Sequence, residues 1–304
     1  METLLGPLQN AILPVFAFPV LGFIAGLRRH FSRPAAEGIN AYVAGLALPC
    51  LLFRLLATAD LAKIDWPVLI AYQGSQIVLY LLGYVFCRQV FKLSRVEALI
   101  LGMCAAFPNH VYFILPIAEE LYGPGAREPV ATMVAFDTMT MLCVTLLLLE
   151  VITGRGGALT TLSSIANNRL ILAIVLGIAF NFSGLSLHQG VDRFLDLAGA
   201  SAAPASLFGL GVILSGADLR RIGGPAWTIT MLKIVVHPLI AVVLFGTIIA
   251  ASPGWAGPAP LVFAAPCAST GFVLGLRYGA PVDSVAKAVI LSTILSVFVI
   301  ALFA

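Results

Sequence analysis

Apolar stretches about 20 residues long, the length of a transmembrane helix, follow one another along almost the whole chain. This feature constrains the fold more than any other. Charged or Gly/Pro-rich breaks separate ten such stretches, and we therefore predict an all-α membrane protein with ten transmembrane spans. The predicted spans are 7–27, 38–58, 66–87, 97–121, 130–151, 168–187, 194–215, 226–251, 259–279 and 283–303.

The composition indicates that lipid, rather than water, is the main solvent. Of 304 residues, 60% are hydrophobic and 10% are charged, whereas about a quarter of the residues in soluble domains are charged. We expect no soluble domain in the short remainder. The first stretch has no basic segment before it and is followed by Arg28, Arg29 and Arg33, so we interpret it as a span and not as a cleaved signal peptide.

Several other classes of protein are disfavoured. The net charge of +3 reflects basic residues that orient spans, so we expect no nucleic-acid partner. The five cysteines are odd in number and lie far apart in apolar stretches, which is typical of neither a disulfide framework nor a metal cluster. No Ser/His/Asp set or paired carboxylates lie at membrane depth, so we expect no enzyme, no cofactor and no bound metal.

Lysine and arginine are divided unevenly between the two sides of a ten-span chain. Twelve lie in the links that follow odd-numbered spans, and three lie in the links on the other side. Cytoplasmic loops carry the excess of Lys and Arg, so we predict a multi-pass protein of the cytoplasmic (inner) membrane with both termini on the extracytoplasmic side. The twelve are Arg28, Arg29, Arg33, Arg88, Lys92, Arg95, Arg155, Arg169, Arg220, Arg221, Arg277 and Lys287; the three are Lys63, Arg127 and Arg193.

The two halves of the chain resemble each other at a fixed offset. Val20-Leu21-Gly22 in the first span recurs 155 residues later as Val175-Leu176-Gly177 in the sixth. Four residues of the second span recur in the seventh at the same offset: Pro49, Leu52, Phe53 and Leu55 as Pro204, Leu207, Phe208 and Leu210. An odd number of spans per half inverts the second half in the membrane. We predict a first inverted repeat over 1–152, a cytoplasmic linker over 153–167 and a second inverted repeat over 168–304.

Spans 4 and 9 occupy equivalent places in the two halves, and each contains a proline-centred interruption, at 105–110 and 264–271. Proline cannot donate its amide and clashes with the preceding turn, so each interruption exposes backbone groups. The half-helix that follows offers amide donors and a partial positive charge, which suit a carboxylate. Alternatively, the prolines only kink their helices. The predicted substrate-binding residues are Pro108, Asn109, His110, Pro266, Cys267, Ser269 and Thr270.

A few further ionisable residues lie within the spans. Asp137 lies in span 5, and Lys233 and His237 lie one turn apart in span 8. Such groups usually face a cavity or a partner, so we predict a role in coupling or in an ion pair, unless Lys233 and Asp137 extend to an interface. Arg54 we interpret as structural. His110 is the group whose protonation varies near neutral pH, so it either couples proton movement to substrate or is simply hydrogen-bonded.

The motifs of this sequence resemble those of the auxin efflux carrier family, which includes plant auxin exporters and bacterial permeases named for malonate or other organic acids. The similarity extends over most of the chain. It is carried by Leu48-Pro49-Cys50-Leu51-Leu52-Phe53 in span 2, Pro204, Leu207, Phe208, Leu210 and Gly211 in span 7, Lys233 and His237-Pro238 in span 8, Pro266, Ala268, Phe272-Val273-Leu274 and Tyr278-Gly279 in span 9, and Asn109 with Pro116 in span 4.

The resemblance implies a bile-acid-transporter-like fold with a scaffold subdomain and a mobile transport subdomain. In that fold the broken, crossing helices are spans 4 and 9. Members of the family carry small organic anions, often as homodimers, by an elevator-like movement. The chain also departs from the family: Pro108, Val111 and Ile114 stand where glycines are common, and Thr270 replaces the usual second-repeat Asn.

The leading hypothesis is a secondary active or facilitative carrier of small carboxylates, either malonate-like or auxin-like. The alternative is an Na⁺- or H⁺-coupled symporter of the bile-acid-transporter type, although no acidic residue lies beside either interruption to help hold Na⁺. A membrane sensor that binds a ligand without moving it is a third hypothesis. It is disfavoured because we expect no soluble domain to relay a signal.

Overall fold

The computed structural model describes residues 8–154, 166–216 and 222–304, together with Gly6 and Ser163. Helices make up the secondary structure of these residues. They are α1 (Gln9–Leu27), α2 (Arg33–Ala57), α3 (Trp66–Val90), α4 (Arg95–Ala106), α5 (Leu115–Tyr122), α6 (Pro124–Thr153), α7 (Arg169–Phe182), α8 (Gln189–Leu214), α9 (Gly224–Ile248), α10 (Pro258–Phe263), α11 (Thr270–Tyr278) and α12 (Asp283–Phe303). Shorter turns are Leu61–Lys63, a π-helical turn His110–Ile114 that leads into α5, and Pro253–Ala256.

Seven of the described helices are long and apolar enough to cross a membrane: α1, α2, α3, α6, α8, α9 and α12. Large apolar side chains on their outer faces, among them Val20, Ile70 and Phe298, are more than half exposed. Such faces suit contact with lipid tails, where no polar partner is needed. The prediction of an all-α, multi-pass membrane protein is therefore confirmed.

The three other predicted spans coincide with shorter or divided helices. The predicted span 168–187 contains α7, which has 14 residues and ends where Gly184 adopts a positive φ of 68°. The predicted span 97–121 is divided between α4 and α5, and 259–279 is divided between α10 and α11. Most of the predicted linker 153–167, as well as Arg155, Arg220 and Arg221, lies outside the described residues.

Two helix pairs pack in a reciprocal way. α1 packs along the second half of α8, and α7 packs along the second half of α2. A Cβ atom on Gly22 would lie 2.1 Å from the Phe208 carbonyl oxygen, and a Cβ atom on Gly177 would lie 2.8 Å from the Phe53 carbonyl oxygen. Glycine therefore lets the two backbones touch in each pair. The second contact is the first one shifted by 155 residues with its partners exchanged.

Two clusters of buried apolar side chains form the interior. One cluster contains Phe113 and Ala265, and the other contains Phe107 and Cys267. The chain passes from one cluster to the other within a few residues at each helix interruption. The interruptions therefore lie deep in the protein, where the two clusters meet.

Arg54 joins α2 to α8 through an ion-pair network. Its Nε and Nη2 atoms lie 2.6 and 3.1 Å from the two carboxylate oxygens of Asp192, and its Nη1 lies 3.0 Å from Asp196 Oδ1. Bidentate pairing of this kind fixes geometry as well as charge. The arrangement fits the structural interpretation of Arg54.

Candidate functional site

The helix before the first interruption ends inside the protein for a local reason. Pro108 lacks an amide hydrogen and disfavours helical backbone in the residue before it. Phe107 accordingly has extended backbone, with φ −71° and ψ 111°, and α4 ends at Ala106. The chain resumes helical structure at His110.

The two interrupted segments cross each other as a short antiparallel pair. The Asn109 amide donates to the Pro266 carbonyl at 2.8 Å, and the Ala268 amide donates to the Phe107 carbonyl at 3.1 Å. Pro108 and Cys267 form the bridge between the two segments. Each segment thus satisfies backbone groups that the missing helical turns leave open, which is necessary away from water.

Side chains from two long helices satisfy further backbone groups of the crossing. Lys233 of α9 donates its Nζ to the Ala106 carbonyl at 2.9 Å. Ser292 of α12 accepts the Cys267 amide at 3.1 Å through its Oγ. A cation at the carbonyl end of α4 also complements the partial negative charge there. The crossing is thereby anchored to α9 and α12.

A cavity of about 60 Å³ lies beside the crossing. Five of the seven predicted binding residues line it: Pro108, Asn109, His110, Ser269 and Thr270. The Asn109 side chain is 4% exposed, and its Nδ2 has no hydrogen-bond partner among the described residues. Pro266 and Cys267, the other two predicted residues, hold the crossing together and do not line this cavity.

The helical segments that leave the crossing begin at the cavity. Asn109 precedes the turn His110–Ile114, and Ser269 precedes α11, which begins at Thr270. The first amides of a helix have no partner within it and carry a partial positive charge. The cavity therefore offers hydrogen-bond donors to a small anion without a cationic side chain.

Asp137 lies on α6 behind this cavity and is fully buried. Three side chains of α3 donate to its carboxylate: Tyr72 at 2.6 Å, Gln73 at 2.9 Å and Gln76 at 2.9 Å. His110 Nε2 lies 3.0 Å from Asp137 Oδ2, but the angle is not that of a hydrogen bond. Asp137 therefore does not extend to an interface, and His110 is the described basic side chain within ion-pair distance of it.

Lys233 and His237 form a second buried polar group. Lys233 Nζ lies 3.1 Å from His237 Nδ1, and His237 Nε2 lies 3.1 Å from Ser75 Oγ. Lys233 and His237 are both fully buried, so the idea that Lys233 extends to an interface is wrong. A π-helical turn, Leu232–Val236, widens α9 at this lysine, and such turns are frequent at functional sites.

Sequence reasoning missed the polar face of α3 and the serine on α12. Tyr72, Gln73, Ser75 and Gln76 all take part in the two buried groups. A signal for them exists, because a run of polar side chains in the middle of an apolar span needs partners. Ser292 carries no comparable signal, since a lone serine in a helix commonly bonds its own backbone.

Two larger cavities adjoin the small one. A cavity of about 280 Å³ shares Tyr112, Ser269 and Thr270 with it and extends to Asn168 and Arg277. A cavity of about 220 Å³ is lined by Val111, Arg54 and Arg127. The small cavity thus shares walls with one cavity that Arg277 lines and with another that Arg127 lines.

The described residues form no cluster of three or more His, Cys, Asp or Glu side chains that could hold a metal ion. The five cysteines carry free thiols. The described polar side chains at the crossing therefore carry amide, hydroxyl, imidazole and thiol groups, together with the Asp137 carboxyl group and the Lys233 amine.

An all-helical membrane protein with a polar cavity at paired helix interruptions has the architecture of a membrane transport protein. Comparison with known proteins agrees. The profile of the family described as "Membrane transport protein" matches residues 7–169 and 159–304. The chain belongs to this family.

Relatives support the same class over their whole length. A Rhizobium meliloti (strain 1021) protein named "Putative malonate transporter" is 26% identical over 298 residues, covering 95% of this chain and 92% of the relative. An "Uncharacterized transporter" from Methanothermobacter thermautotrophicus is 27% identical over 296 residues, covering 94% of each chain. "Auxin efflux carrier component 5" of Arabidopsis thaliana is 20% identical over 327 residues, covering 94% and 93%. The predicted relation to auxin efflux carriers is confirmed, and the family is one of transporters and not of enzymes.

Proposed function

We propose that this chain carries small carboxylates across the cytoplasmic (inner) membrane and binds them at the crossing. One observation carries the proposal: the buried cavity at the crossing contains the Asn109 amide, whose Nδ2 donor has no partner in the part of the chain that the structure describes. A buried donor without a partner is unfavourable, and a ligand that accepts from it removes that cost. Thr270 and Ser269 offer hydroxyl groups on the opposite side of the crossing.

The donors around the cavity favour an anion over a cation. Two helical segments begin at its wall, and their first amides present partial positive charge. The small cavity has room for a carboxylate group, and the adjoining cavity of about 280 Å³ has room for the rest of a small molecule. The names of the two relatives, one for malonate and one for auxin, are both those of organic acids.

In this proposal the chain crosses the membrane ten times as two inverted halves, 1–152 and 168–304. Seven long helices, α7 and the two divided pairs α4/α5 and α10/α11 account for the ten crossings. The reciprocal contacts of Gly22 with Phe208 and of Gly177 with Phe53 support the inversion, because inverted halves repeat such a contact with exchanged partners. The divided pairs are then the broken crossing helices.

The proposed movement is elevator-like. The reciprocal packing of α1 with α8 and α7 with α2 supports these four helices as the scaffold, and the scaffolds of two chains would form the proposed homodimer. The crossing, anchored to α9 and α12 by Lys233 and Ser292, moves with the transport part. The excess of basic residues in the links on the side of Arg277 supports a cytoplasmic location for that side and an extracytoplasmic location for both termini.

Uptake into proteoliposomes tests this function. Purified protein should take up radiolabelled malonate, succinate or indole-3-acetate with saturation, and unlabelled carboxylates should compete while an organic amine should not. Empty liposomes and liposomes with heat-unfolded protein set the background. The absence of saturable flux for every acid, together with retained ligand-induced stabilisation of the fold, would favour a sensor and contradict the carrier.

A further inference from the structure

His110 is the side chain that touches both the cavity at the crossing and the buried carboxylate behind it. Its ring lines the cavity, and its Nε2 lies 3.0 Å from Asp137 Oδ2. The side chain is 2% exposed. A change of charge at His110 therefore alters its electrostatic interaction both with a ligand in the cavity and with Asp137.

The contact between His110 and Asp137 depends on a proton. An unprotonated ring nitrogen and an ionised carboxylate oxygen are both acceptors, and they repel each other at 3.0 Å. A proton on Nε2, which one neutral tautomer and the imidazolium both carry, makes the approach favourable. A ring that carries both of its protons is a cation, which faces Asp137 on one side and the cavity on the other.

Among the described side chains at the cavity, none besides His110 can offer an entering anion a full positive charge. Lys233 is already bonded to the Ala106 carbonyl, and no Lys or Arg of the described part of the chain lines the small cavity. Tyr72, Gln73 and Gln76 from α3 donate to Asp137. The next titratable groups are His237 of α9, which stacks on Tyr72, Lys233, which contacts His237, and Cys267, which pairs with Pro108.

We infer that the His110–Asp137 pair binds a proton together with each transported anion, so that the carrier is a proton–anion symporter. The inference rests on the proposed function and adds the coupling ion. A proton taken from water on the side of uptake enters on His110 as the anion binds, and an uncompensated buried charge is avoided. The anion and the proton both leave on the other side of the membrane. The cycle makes and breaks the bond between His110 and the proton, and no other covalent bond changes.

Accumulation driven by a pH difference tests the inference. Proteoliposomes are held at zero membrane potential with potassium and valinomycin, without sodium, at pH values at which malonate is fully ionised. Malonate, or the acid of the panel that shows saturable uptake, is placed on the more acidic side. A pH difference of one unit should drive accumulation towards about tenfold if one proton moves with each anion. His110→Gln and Asp137→Asn should remove this accumulation, whereas His30→Gln, at an exposed histidine, should keep it.

A second measurement keeps the test informative where a buried variant folds poorly. Addition of the anion to wild-type protein in weakly buffered detergent solution should take up about one proton per bound anion, read with a pH dye. Saturable exchange without a response to the pH difference would overturn proton coupling and leave the carrier standing, and so would accumulation driven only by sodium. The absence of any flux would overturn both. If accumulation survives in His110→Gln but is lost in His237→Gln, the proton binds at the Lys233–His237 group and the inference is wrong.

Discussion

Substitution by alanine is expected to have opposite effects at Asn109 and Asn181: loss of substrate affinity at the first and loss of stability at the second. Together the two variants test whether the crossing binds substrate. The Asn109 amide is buried and its Nδ2 has no partner among the described residues. The Asn181 amide on α7 lies 3.1, 3.2 and 2.6 Å from the carbonyl oxygens of Leu56, Ala57 and Ala59 at the end of α2. We therefore expect Asn109 to bind substrate and Asn181 to stabilise the fold.

For Asn109→Ala we expect a large loss of affinity with little loss of stability. A hydrogen bond from a neutral donor to a carboxylate contributes about 1.5–3 kcal/mol, which corresponds to about 10- to 150-fold in KM. The lost packing of one small side chain is offset by removal of an unpaired donor that costs about 1–3 kcal/mol. The free energy of unfolding should therefore change by about 1 kcal/mol or less.

For Asn181→Ala the expectation is reversed. Orphan carbonyls at the end of α2 lose their donors, which costs about 1–3 kcal/mol in stability, while KM stays near the wild-type value. Thermal unfolding in detergent gives Tm for both variants, and uptake of the transported acid gives KM. Wild-type KM in Asn109→Ala would refute the site assignment. A fall in Tm for Asn109→Ala as large as that for Asn181→Ala would show a structural role instead.

Three further predictions concern packing, anchoring and orientation. Gly211→Ala should sharply reduce the yield of folded protein in size-exclusion chromatography, because its Cβ would lie 2.1 Å from the Pro19 carbonyl oxygen; Gly38→Ala, with nothing within 4 Å, should be tolerated. Lys233→Met should lower the stability by about 1–3 kcal/mol, read as Tm, because the buried Ala106 carbonyl loses its donor; an unchanged Tm would contradict the anchoring role. Alkaline phosphatase fused to the C-terminus should be active in bacteria, and inactivity there would reverse the proposed orientation.

Much of the fold follows from local sequence signals. Hydropathy locates the helices because each span must be apolar by itself, and proline chemistry locates the end of α4 because Pro108 acts on its own neighbours. The helix bounds differ from the predicted span bounds where a capping residue sets them. Ser94 Oγ accepts the Glu97 amide, so that α4 begins at Arg95 and not at 97. These features depend on residues close together in the chain.

The rest of the site depends on which distant helices meet. Nothing in the sequence near Asp137 shows that α3 supplies its three donors, 61 to 65 residues earlier in the chain. The residues of the second interruption also have different roles. Ser269 and Thr270 line the cavity, whereas Cys267 pairs across the crossing, and three-dimensional packing decides which does which. A sequence pattern identifies the polar residues but not their partners.

Substrate protection of a single cysteine tests the central claim most directly. In a variant without the five native cysteines, Thr270→Cys places a thiol on the wall shared by the small cavity and the larger cavity that Arg277 lines. A small membrane-impermeant thiol reagent should label it from the cytoplasmic side, and a transported carboxylate such as malonate should slow the labelling in proportion to occupancy. Labelling at the same rate with and without every transported acid would contradict a substrate site at the crossing.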